Sequence, residues 1–122
     1  AARVTICEGD WFSALPPELM GEVQLVVSNP PYVPDGESLP PEVDDWEPAD
    51  ALRSGADGLD DIRRIVAEAP RWLEPQGVLV CELSPEQAEP VLLLARAVFA
   101  SCRIEEDLAG RPRMLVARGP LA

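Results

Sequence analysis

Histidine and lysine are both missing from the 122 residues, so all 10 basic side chains are arginines, set against 22 acidic ones. Without an imidazole, the chain itself cannot build a histidine-containing zinc site, a Ser-His-Asp triad or a Cys-His dyad. No metal is expected. A net charge of −12 repels phosphate backbones, whose neutralisation by basic side chains supplies most nucleic-acid affinity, so no direct nucleic-acid partner is expected. The three cysteines, Cys7, Cys81 and Cys102, form no Cys-x-x-Cys pair. Each falls in or beside an apolar strand-like segment and reads as a small buried hydrophobe. No apolar run approaches the roughly 20 residues of a membrane-spanning helix, and no internal repeat is evident. The opening residues turn charged too early for a signal peptide, and a cytoplasmic protein is expected. Gly-x-Gly does not occur anywhere.

What is present suits one soluble domain, with 47% hydrophobic and 26% charged residues. Its centre is Val23-Gln24-Leu25-Val26-Val27-Ser28 followed by Asn29-Pro30-Pro31-Tyr32. An apolar, β-branched run that stops at two prolines reads as a buried strand delivering a stiff polar loop. Each proline fixes φ and lacks an N–H, and Pro30 biases Asn29 away from the helical region. The Asn29 side chain and the carbonyls of Asn29 and Pro30 are then free to face a ligand, with the Tyr32 ring beside them. Two fixed acceptors suit a planar nitrogen that carries two hydrogens, either a carboxamide or an exocyclic base amine. Held so, the nitrogen needs no strong base, because positioning and electrostatics carry its alkylation, and Tyr32 favours the positive charge that develops.

Asn29-Pro30-Pro31-Tyr32 after an apolar strand resembles the signature of class I S-adenosylmethionine (SAM)-dependent amino-methyltransferases. The wider context is Val27-Ser28-Asn29-Pro30-Pro31-Tyr32-Val33-Pro34, then Trp46-Glu47-Pro48-Ala49-Asp50-Ala51-Leu52, then Gly55-Ala56-Asp57-Gly58-Leu59. It is similar to the release-factor glutamine methyltransferases of the HemK/PrmC family, from Gly9 to Arg118. The resemblance implies methyl transfer from SAM to the side-chain amide of a glutamine in the Gly-Gly-Gln loop of a peptide chain release factor. Asn29, Pro30 and Tyr32 are then catalytic, and Asn29, Pro30, Pro31, Tyr32 and Glu47 meet the substrate. Asp10, Trp11 and Asn29 meet the cofactor, with Asp10 accepting from the adenine amino group and Trp11 against the ring. Asp10 reads also as a helix N-cap and Trp11 as a core residue.

The resemblance further implies a Rossmann-like α/β fold, mostly parallel, with a C-terminal antiparallel strand pair. Residues 1–122 correspond to about the C-terminal half of such an enzyme, a partial domain without its glycine-rich SAM turn or its N-terminal helical domain. In the family's sheet order two further strands lie between this chain's first and second, so the edge of residues 23–28 is expected to be unpaired and open to self-association. Two other readings stand beside this one: an adenine N6-methyltransferase of DNA or RNA, and a non-catalytic fragment of the fold.

Taken in order, Arg3-Val4-Thr5-Ile6-Cys7 alternates and reads as a strand. Glu8-Gly9-Asp10-Trp11-Phe12 opens a short helical piece ended by Pro16-Pro17. Residues 33–50, with four prolines and seven acidic residues, read as a long connection without regular structure. A helix is expected over residues 58–69, with Leu59, Ile62, Val66 and Ala69 on one face and Asp60 and Asp61 at its start. Pro75-Gln76-Gly77 reads as a turn before a buried strand over residues 78–83. From Pro85 a second helix is expected, with Ala88, Val91, Leu92, Ala95, Val98 and Phe99 as its stripe. Two strands, residues 102–106 and 113–118, then pair antiparallel through Gly110. Glu82 and Gln87 resemble a family loop, and equally suit a strand end and a helix cap.

Overall fold

The computed structural model describes residues 3–33, 54–56 and 58–121. Its regular elements are β1 (Val23–Ser28), α1 (Asp60–Trp72), β2 (Leu73–Glu82), α2 (Ala88–Arg96), β3 (Phe99–Glu106) and β4 (Pro112–Pro120), with short 3-10 turns at Trp11–Ala14, Pro17–Leu19 and Pro85–Gln87. The strands form one sheet in the order β1-β2-β4-β3. β1 and β2 are parallel, joined across α1, while β2 with β4 and β3 with β4 are antiparallel. This is the expected α/β order, with the expected antiparallel pair at its end. Among the described residues the parallel part is the β1–β2 pair.

Apolar spacing makes the core. α1 buries Ile62, Ile65, Val66, Ala69 and Trp72 at the period of a helix packed on one face, and Asp60 and Asp61 occupy its first turn, where the helix dipole favours negative charge. Strand register sets Val26, Leu79, Ala117 and Cys102 in one row across the sheet, and Ser28, Cys81, Leu115 and Ile104 in the next. Both helices pack on that face, where Leu79, Cys81, Leu115 and Ala117 are fully buried with Val91 and Ala95 of α2. Phe12 stacks on Trp72, ring centroids 6.2 Å apart, and so fastens the first 3-10 turn to the end of α1.

The structure corrects five expectations. Residues 3–7 form no strand, and Val4 and Ile6 are 77% and 93% exposed. A β-branched run becomes a strand only where another strand completes its hydrogen bonds, and no described strand lies beside this one. Cys7 is accordingly exposed rather than buried, whereas Cys81 is buried. β1 is half-buried, and on one face only: Val23 and Val26 pack partly buried against the core, while Leu25 and Val27 are 54% and 70% exposed on the face that neither helix covers. Pro75-Gln76-Gly77 is not a turn between elements but an irregularity inside β2, absorbed where the pairing jumps from Val23↔Leu73 to Leu25↔Val78. Val98 and Phe99 leave the helical stripe, α2 ending at Arg96 and Phe99 opening β3 as a buried core residue.

Candidate active site

The 29–32 loop leaves the C-terminal end of β1, where a parallel α/β sheet places its ligands. Pairing of Ser28 with Cys81 fixes the loop's base. Pro30 is buried and Asn29 exposed, so the rigid proline anchors the loop while the amide stays open. The far end is held at Tyr32 by two sets of contacts. Its hydroxyl donates to Glu82 Oε1 (3.3 Å), and Arg113 Nη2 donates both to the Tyr32 hydroxyl (3.3 Å) and to Glu82 Oε1 (3.2 Å). Its carbonyl accepts from Gln87 Nε2 at 2.8 Å. With side chains about one-third exposed, 33% for Glu82 and 32% for Arg113, this ion pair adds at most about 1 kcal/mol. Its consequence is orientation of the Tyr32 ring.

On the other side of β1, Trp11 is the one described non-glycine residue with positive φ, at 51°, a conformation that costs an L-residue about 1–3 kcal/mol. Its indole Nε1 donates to Asp61 Oδ1 (3.0 Å), while Asp61 Oδ2 accepts from the buried Ser54 hydroxyl (2.6 Å) and the Asp61 N–H donates back to Ser54 Oγ (2.8 Å). Ser54 N–H in turn donates to the Val33 carbonyl at 2.9 Å. One carboxylate therefore ties Trp11 to the segment that follows Tyr32. Asp10 stands just before the 3-10 turn, and its Oδ2 pairs with Arg64 Nη1 at 2.6 Å, which holds the guanidinium's proton more tightly.

Two open clefts flank the loop. An apolar one of about 200 Å³ is lined by Trp11, Phe12, Leu15, Val26, Val27, Ser28 and Ile65, small against the ~300–1,000 Å³ of typical ligand pockets and suited to a single flat ring. The second, about 660 Å³, is lined by Tyr32, Val33, Leu59, Arg63, Arg113 and the 84–87 turn, with Pro90. Here Glu86 is held below the usual carboxylate range by its own backbone N–H and the Ser84 hydroxyl. Ser28 lines one cleft and Tyr32 the other, so the loop's two ends each open on a cleft.

No family model matches the chain. Among curated proteins, a release factor glutamine methyltransferase of Thermosynechococcus vestitus is 46% identical over 122 residues, covering 97% of this chain and 42% of the relative. Proteins of the same name from Geobacter sulfurreducens and Cereibacter sphaeroides are 45% and 42% identical, over 96% and 100% of this chain and 41% and 44% of theirs. Over nearly its whole length the chain is homologous to release factor glutamine methyltransferases. It spans about two-fifths of the length of these relatives.

The residues singled out from sequence are divided between the loop and the two clefts. Pro30, Pro31 and Tyr32 form the loop with Asn29, Tyr32 reaches the larger cleft, and Trp11 reaches the smaller one. Asp10 lies beside Trp11 but spends one oxygen on Arg64. Glu47 lies outside the described residues, as does most of the 33–50 connection. Glu82 and Gln87 resolve as the two anchors of Tyr32. Arg113, Asp61 and Ser54 were not found by sequence reasoning. An arginine opening an otherwise apolar strand was the available sign for Arg113, and nothing local distinguished the other two. Among the described residues no helix is long and apolar enough to cross a membrane, and no group of His, Cys, Asp or Glu could hold a metal.

Proposed function

We propose that the protein carrying this chain methylates the side-chain amide nitrogen of a glutamine in a peptide chain release factor, with SAM as donor. The carrying observation is the 29–32 loop, stiffened by two prolines and fastened at both ends, with an apolar cleft at its first end and a larger cleft of mixed lining at its second. The names of the relatives supply the substrate. In this reading residues 1–122 are the C-terminal part of a methyltransferase domain.

The chain's residues fit part of the donor. The apolar cleft accepts a flat ring against Trp11, and Arg64 orients Asp10 so that its carboxylate is shared between the guanidinium and an exocyclic amine. When bound, SAM supplies an electrophilic methyl group on a sulfonium sulfur. The Asn29 side-chain oxygen and the Pro30 carbonyl accept the two hydrogens of the target amide and aim its nitrogen lone pair at the methyl group. Tyr32, its ring fixed by Glu82 and Arg113, stacks on the amide plane and favours the positive charge that grows on nitrogen. The nitrogen becomes acidic only as it is alkylated and then sheds one proton, so no strong base is required and orientation carries the rate.

Asn29→Ala tests this reading. In the protein's full reading frame, loss of one of two orienting groups lowers turnover about 10²-fold or more, while SAM affinity measured by calorimetry falls less than turnover does. Turnover within a factor of about two of wild type, set against that same expectation, would remove Asn29 from the positioning role.

A further inference from the structure

Gln87 is 6% exposed, and its side-chain amide makes three hydrogen bonds. Its Oε1 accepts from the Ser84 N–H at 3.1 Å, closing the Pro85–Gln87 turn on itself. Its Nε2 donates to the Tyr32 carbonyl at 2.8 Å and to the Gly58 carbonyl at 3.3 Å. The amide's orientation follows from these partners, because a flip would set its oxygen against two carbonyls and its NH2 against an N–H. Gly58 has φ of 77°, the left-handed region that glycine enters at little cost, and its carbonyl is the one Gln87 receives.

The 29–32 loop has two ends. β-pairing fixes the first at Ser28. At the second, the Tyr32 hydroxyl contacts are one-third exposed and weak, so the buried amide on the Tyr32 carbonyl is the firmer hold. Between these points both prolines have fixed φ and the peptides are planar. With ψ the one free torsion at each proline, few rotations remain to absorb a change of direction at the Tyr32 carbonyl before it reaches the Pro30 carbonyl.

We infer that Gln87 is a positioning residue for methyl transfer: by holding the Tyr32 carbonyl it sets the direction in which the Asn29 side chain and Pro30 carbonyl meet the target amide. This rests on the function proposed above, and it makes the turn after β2 part of the acceptor geometry. A misplacement of about 1 Å of such groups costs about 10²-fold in rate.

Two variants separate positioning from plain structural support. Gln87→Glu keeps the oxygen that accepts from Ser84 but faces two carbonyls with a carboxylate; Gln87→Leu removes both functions at similar volume. In the full reading frame both should lower kcat about 10²-fold with SAM affinity unchanged and a smaller effect on KM. The second readout needs no activity. Tyr32 is the only tyrosine of these 122 residues; after fluorotyrosine labelling of the full reading frame its fluorine NMR signal is the one lost in Tyr32→Phe, and it should be sharp in wild type and broadened or split in both variants. If wild type methylates no glutamine, the proposed function fails while this signal still decides the Gln87 assignment. Should a variant not fold, wild type itself serves: the Gln87 side-chain amide protons should exchange more slowly than those of the exposed Gln24 and Gln76. Unaltered kcat with an unaltered Tyr32 signal overturns the inference, and so does Gln87 exchange as fast as that of Gln24.

Discussion

Burial, with Glu82 beside it, pushes the Cys81 thiol up to about 12 from an ordinary 9.0. The thiolate is the reactive form, so an alkylating reagent at pH 8 should modify exposed Cys7 and spare Cys81, as mass spectrometry of the peptides will show. The same shift sets a pH dependence. Between pH 9 and about 12 the unfolded chain has released the proton that folded Cys81 retains, so stability falls as pH rises, with a slope approaching about 1.4 kcal/mol per unit. Cys81→Ala should remove that part of the slope in urea titrations across the range, and an unchanged slope would contradict the assignment. Asp61 has a different role, holding a strained backbone. Asp61→Ala leaves the Ser54 hydroxyl without its acceptor in a buried place, while water reaches the half-buried Trp11 indole. The expected loss is about 2 kcal/mol, from one buried unsatisfied group and one resolvated one, read as a lower urea midpoint at constant m. The loop itself was legible in the sequence, because two prolines at the end of an apolar run leave few conformations. Its anchors were not. Glu82 lies 50 positions from Tyr32 and Arg113 lies 81 away, and only strand order and register bring them together.

At the level of elements, β1 has β2 as its described partner and carries exposed Leu25 and Val27. An open apolar edge favours pairing with a second copy, opposed by the charge of −12 on each chain. Salt decides between them: raising ionic strength from about 0.01 to 0.15 M shortens the screening length from roughly 30 to 8 Å, so association in sedimentation should strengthen with salt. Val27→Lys discriminates edge from bulk charge. It reduces net negative charge, which alone would strengthen association, yet a lysine at the edge should weaken it. Stronger association of the variant would sink the edge account. Periodicity made α1, β2, β4 and most of α2 legible, since Ile62, Val66, Ala69, Val91 and Ala95 do face the core. It failed where pairing or packing outweighed local preference. Residues 3–7 carry a strand pattern without a partner strand among the described residues, Pro75-Gln76-Gly77 is carried through β2 as an irregularity, and Phe99 is apolar at helical spacing yet starts β3.

Across the 122 residues as a whole, charge bears on the proposed substrate class. Ten arginines against 22 carboxylates give a long-range field that repels a phosphate backbone, whereas a protein loop presenting a neutral carboxamide meets no such barrier. The two arginines on the larger cleft do not change that balance, since Arg113 is paired with Glu82 and Arg63 with Asp60. A glutamine amide and an adenine amine could both be held by two acceptors, so the loop alone does not discriminate them, and the proposal of a glutamine amide rests on the relatives' names and on the charge of these 122 residues. The most direct test incubates the protein in its full reading frame with labelled SAM, a release factor and a single-stranded adenine oligonucleotide together, and locates the label by mass spectrometry. One methyl on the glutamine side chain of the Gly-Gly-Gln loop, with the oligonucleotide unlabelled and duplex DNA not slowing transfer, is the result expected; label on adenine with none on the release factor would contradict it.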